Sequence, residues 1–172
     1  MFDGSDLGAA AAARAEWRAE EESWIRAAHE RWEHGRSLVD VVRDCMHRGD
    51  RVTFVLSSTT VAGAVVAVGT DVARVATVEG AVDVAISSAS PVVVRVAPGR
   101  NPGTRGDGTV TTFAARLREL DGAVVDVAAN DGDELRGRLR RGRDHVRVDD
   151  GDRGSAYVPI GSVVWVRPVD VD

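Results

Sequence analysis

Lysine is missing from this chain: all 22 of its basic residues are arginine. That bias fits the codon usage of a GC-rich genome more simply than selection for guanidinium chemistry, so an arginine cluster carries less meaning here than usual. An acidic, Asp-rich, Lys-free chain is equally compatible with a high-salt cytoplasm. Cysteine is nearly absent as well. Cys45 stands alone, which excludes an intramolecular disulfide. The N-terminus lacks the basic stretch followed by an apolar one that marks a secretory leader, so a cytoplasmic location is expected. No apolar run approaches the roughly 20 residues that a membrane-spanning helix needs, so no membrane partner is expected. Aromatic residues make up only 5% of the chain while hydrophobic residues make up 44%, led by Val and Ala. The core must therefore be aliphatic and β-branched, which favours strands.

The net charge of −5 leaves no segment basic enough to hold a polyanion by net charge alone. Chemistry is sparse too. His29, His34, His47 and His145 show no metal-ligand spacing, and no serine sits in a nucleophile elbow. The expectation is a non-enzymatic protein with no cofactor and no metal.

Residues 9–34 have helical periodicity, with Trp17, Trp24, Ile25, Ala28 and Trp32 inside about a third of the wheel. Three tryptophans on one stripe want a partner, and Trp17, Trp24 and Trp32 are the candidate protein-interaction residues. The alternative is that the stripe covers an apolar surface of the chain's own β structure. A second helix begins at Ser37 and stops at Gly49. From residue 51 the pattern changes to short valine-rich runs, "RVTFVL", "TVAGAVVAV", "DVARVAT", "AVDVAI" and "PVVVRV", five strands in sequence. Residues 98–111 are rich in Gly and Pro and read as a flexible linker. The same order then returns from Thr112. Gly49 falls on Gly122, Val52 on Val125, Phe54 on Val127, Gly63 on Gly137 and Asp71 on Asp144, at a constant offset of 73 or 74. The chain repeats itself.

The second copy, "LRELDGAVVDVAANDGDELRGRLRRGRDHVRV" followed by "SAYVPIGSVVWV", resembles the Sm/LSm family, which includes the Hfq-type RNA chaperones. The matching positions are Gly122, Val125, Val127, Asp131-Gly132, Gly137, Leu139, Asp144 and Val146. The resemblance implies a mainly β fold with N-terminal α structure: two tandem Sm-like/SH3-like five-stranded small barrels, each preceded by a short helix. The division is an amphipathic helix at 1–36, barrel one at 37–97, the linker at 98–111 and barrel two at 112–172. It further implies RNA as a partner and homo-oligomers through barrel edge strands. The family's base-binding Asn is absent from both copies, where Asp144-His145-Val146-Arg147 and Asp71-Val72-Ala73 stand.

Five arginines lie between Arg136 and Arg143. On a strand, Arg136, Arg138 and Arg140 share the outward face opposite Leu135, Gly137 and Leu139. Arg141 and Arg143 fall in the next turn, and His145 and Arg147 join the face from the following strand. With Tyr157 as a stacking surface, these eight residues form the candidate nucleic-acid site. The leading expectation is an RNA-binding regulatory protein. The alternative is an assembly scaffold that uses the barrel edges and the tryptophan helix. Against the first reading stands an ordinary solvated strand face, neutralised by aspartates such as Asp126 and Asp149.

Overall fold

The computed structural model describes residues 4–57, 59–87, 92–106, 111–151 and 154–169, with side chains from residue 14 onward. It divides into two compact units, residues 1–37 and 38–172. The first unit is a long helix, α1 (Gly4–His34). Trp17 and Trp24 are each 71% exposed and Trp32 is 54% exposed. Trp32 stacks on His29 at 5.9 Å and lies under the Arg36 guanidinium at 4.3 Å.

The second unit opens with α2 (Leu38–Arg48) and continues as β1 (Arg51–Val55), β2 (Thr60–Val68), β3 (Val72–Thr77), β4 (Gly80–Ala85) and β5 (Val93–Ala97). A seven-residue helix, α3 (Phe113–Glu119), follows. The last strands are β6 (Val124–Ala129), β7 (Glu134–Arg141), β8 (His145–Asp149), β9 (Ser155–Pro159) and β10 (Val163–Pro168). Strands β1, β2 and β8 bury alternate residues, β8 with Val146 and Val148 inside, whereas β4 and β10 each bury four residues in a row where the two halves meet.

The tandem barrels do not form. All ten strands join one open antiparallel sheet in the order β5-β1-β2-β3-β4-β10-β6-β7-β8-β9. Closing the first half would require β4 to pair with β5. Instead β4 pairs with β10, Trp165 opposite Val84 and Val166 opposite Asp83. The two halves keep the same internal strand order and meet edge to edge at this seam.

A core lies on each face of the sheet. The first gathers α2 residues Val42, Cys45 and Met46 with Val52, Phe54, Val75, Val82 and Val84. The second gathers Phe113, Leu117 and Leu120 of α3 with Val125, Val127, Leu139, Val146 and Val148. The cores interleave at the seam, because successive strand residues point to opposite faces. On β10, Trp165 enters the first core while Val163 and Val166 enter the second, and on β6 Ala128 parts from Val127 and Ala129 in the same way. A register shift between Val163 and Trp165 is the bulge that turns β10 from one core to the other.

Gly63 and Gly137 occupy equivalent mid-strand positions, and both are required by close approach. A Cβ at Gly63 would lie 2.1 Å from the Ala76 carbonyl oxygen, and one at Gly137 would lie 2.2 Å from that of Asp149. The Gly/Pro stretch has a definite course over 98–106. Thr104 donates its backbone N–H to the Met46 carbonyl at 3.0 Å, and a Cβ on Gly103 would meet the His47 carbonyl oxygen at 1.8 Å. Residues 107–110 of the expected linker lie outside the described residues.

Candidate nucleic-acid interface

Strands β7, β8 and β9 set the arginine face by register. Arg140 stands opposite Arg147, and Arg147 opposite Tyr157, giving one cross-strand row. Arg138, Asp149 and Ser155 form the next row. Arg136 stands opposite Asp126, which stands opposite Arg167 on β10. His145 and Tyr157 approach with ring centroids 5.6 Å apart, and Tyr157 is 64% exposed. Arg136, Arg138, Arg140, His145, Arg147 and Tyr157 thus share one side of the sheet.

Two residues fall elsewhere. Arg141 is the last residue of β7, opposite Val146, on the side of buried Leu139. Its backbone N–H donates to Asp121 Oδ1 at 2.9 Å and its guanidinium to the Arg143 carbonyl at 3.0 Å. Its Nε is buried without a partner. Arg143 is exposed in the turn between β7 and β8.

Carboxylates neutralise much of the face. Arg147 pairs with Asp149 at 2.8 Å, His145 with Asp144 at 2.9 Å, and Arg136 lies 3.7 Å from Asp126. Asp126 is held more closely by Arg167, at 2.7 Å. The ring N of His145 against Asp144 is the main influence holding that carboxyl below its usual range. The hydrogen bond to Asp149, followed by the influence of Tyr157, raises the Arg147 pKa and keeps its guanidinium charged. Among the described residues no carboxylate pairs with Arg138, Arg140 or Arg143, and Arg138 donates to the Gly122 carbonyl at 2.6 Å. The face therefore offers few uncommitted cations beside one exposed aromatic ring.

The arrangement closest to this one in the first half is closed. There Arg74 stands opposite Asp83 on β3 and β4, the places that Arg147 and Tyr157 hold on β8 and β9. Asp83 is fully buried, the buried charged residue among the described ones. It binds Arg74 at 2.8 Å and Arg116 of α3 at 2.6 Å. Burial, the largest single influence, opposes the Arg116 charge, but the hydrogen bonds and charges of Asp83 and Glu119 together outweigh it, so its pKa is raised. Asp71 adds a second tie to α3 by accepting the Phe113 backbone N–H at 2.7 Å. Sequence reasoning missed this triad. Its signal was an aspartate inside the run "AVDVAI", a cost that demands a buried partner, with Arg74 one strand earlier. Trp165 was missed too: it is 7% exposed, and its indole N–H has no partner.

Among the described residues no cluster of three or more potential ligands could hold a metal ion, and no helix is long and apolar enough to cross a membrane. No protein-family model matches the chain, and no curated protein matches its sequence.

Proposed function

We propose that this protein is an assembly module that associates strand to strand through the two free edges of its sheet, β5 and β9. The observation that carries this reading is the β4–β10 seam, where two halves of equal strand order already join edge to edge. In the second half β9 holds the place of β4, and in the first half β5 holds the place of β10. An unpaired edge presents a row of backbone donors and acceptors that template another strand. The edge side chains favour contact: Val93 is 59% and Val96 45% exposed on β5, and Tyr157 is exposed on β9. The exposed tryptophans of α1 supply a further surface for protein partners.

Nucleic-acid binding is the second reading, favoured by Arg138 and Arg140, which form no salt bridge among the described residues and share the sheet side of Tyr157. One experiment separates the two: light scattering of the full chain over a concentration series at low and high salt, with and without single-stranded RNA. The assembly reading expects association beyond the monomer that survives high salt. It also expects a monomer when Val93→Lys and Tyr157→Lys are combined, because charge on an edge blocks strand pairing. A strict monomer at every concentration sinks it. RNA bound at low salt and released as salt rises, with a log–log slope of roughly 0.7 per phosphate contact, would put the second reading first.

A further inference from the structure

A cavity of about 310 Å³ sits over the β4–β10 seam, where the first core gives way to the charged face. Val61, Val82 and Trp165 provide its apolar lining, all three nearly buried. Glu79, Glu134 and Arg167 provide its charged lining. Its volume is at the lower end of the range, roughly 300–1,000 Å³, in which small-molecule sites fall.

We propose that this cavity binds a small amphipathic organic cation, a primary ammonium or guanidinium carried on an apolar body. Charge decides the sign of the ligand. The Arg167 guanidinium is already committed, through Nε and Nη2 to Asp126 and through Nη1 to Glu79. Glu134 has no hydrogen-bonding or ion-pair partner among the described residues. Glu79 and Glu134 against Arg167 leave the lining with one surplus negative charge, which attracts a cation and repels an anion.

The apolar lining calls for a body of matching character, since three largely buried hydrophobic side chains border the space. Trp165 is itself part of that apolar lining, so its ring reports directly on what occupies the space. The site is also held in place before any ligand arrives. Thr77 Oγ1 donates to the Gly80 carbonyl at 2.8 Å and accepts the Glu79 N–H at 3.2 Å, fixing the turn that presents Glu79. Glu134 is set by register, opposite Ala128, which is opposite Trp165.

The test uses the ¹⁵N-labelled full chain and two probes, 2-phenylethylammonium and its anionic counterpart 3-phenylpropionate. The indole N–H resonances are followed through each titration. The Trp165 signal is assigned by its loss in Trp165→Phe, or by sequential assignment if that variant does not fold. The cation should move the Trp165 signal saturably and leave those of Trp17, Trp24 and Trp32 in place. The anion should move none of them. Glu134→Gln should weaken the cation by about two- to fivefold, the range of a partly exposed ion pair. A Trp165 signal that stays fixed up to the solubility limit of the cation overturns the proposal. Equal binding of the anion, or an unchanged affinity in Glu134→Gln, overturns it as well.

Discussion

Asp149 shows how the arginine face is tied down. Its carboxylate accepts the Ser155 hydroxyl at 2.6 Å and the Arg147 guanidinium at 2.8 Å. Its pKa is lowered, first by Ser155, against desolvation, with Arg147 adding to the effect. A carboxyl with a depressed folded pKa stabilises the fold above its unfolded value, about 3.9. That contribution is lost as pH falls through the lower folded value. An NMR titration should therefore place Asp149 below the ordinary aspartate range, and Ser155→Ala should bring it back towards that range. An identical titration in the variant would show that the hydroxyl does not set the shift. At this scale the sequence was informative but incomplete. Alternation put Arg136, Arg138 and Arg140 on one face and brought His145 and Arg147 beside them, with Tyr157 offered as a stacking surface. Alternation cannot say which aspartate comes within 3 Å of which arginine, because pairing depends on register between strands, and register is set by turns and bulges.

Helix α3 has only seven residues, too short to hold itself together in water. Thr112 caps it by accepting the Ala115 N–H at 3.0 Å, and Asp83 anchors it from β4 through Arg116. Removing one member of a buried ion pair leaves the others uncompensated, at a cost of roughly 3–5 kcal/mol. Asp83→Ala should therefore lower the stability of residues 38–172 by about 3 kcal/mol in urea unfolding, since both arginines keep some solvent contact. A loss below about 0.5 kcal/mol, the range of ordinary surface changes, would show that the triad is not a structural tie. The elements themselves were largely legible: a long first helix, a second ending before Gly49, five strands, a short helix after Thr112 and strands again. Their final pairing was not. Period-2 patterning tells which residues face a core, and a strand that closes its own barrel alternates like one that pairs with a distant strand. Nothing in "AVDVAI" names β10 as its neighbour. The barrel expectation failed at that point, through the choice of partner for one edge.

Across residues 38–172 the two cores share β2, β3, β4, β6 and β10, each strand feeding both faces. Neither core can be lost without stripping one face of the strands that support the other. Calorimetry on the full chain should show the sheet melting in a single transition, with calorimetric and van't Hoff enthalpies in agreement. Two resolved sheet transitions would mean that the halves fold separately and that the seam is a weak contact. The sheet also differs along its length. On β2 and β3 the exposed positions include Ala62, Ala64 and Ala76, whereas the equivalent strands β7 and β8 expose Arg136 and Arg138 and half-bury Asp149. Two stretches of one architecture therefore present unlike surfaces.

In the language of polymer chemistry, a sheet with two different reactive ends is a bifunctional monomer. Growth through β5 and β9 would be head to tail, every junction equivalent, and chain length would be governed by end groups. A variant blocked at one edge alone would act as a chain stopper. Mixed into the parent protein, it would shorten every assembly in proportion to its mole fraction, while a variant blocked at both edges would be an inert diluent.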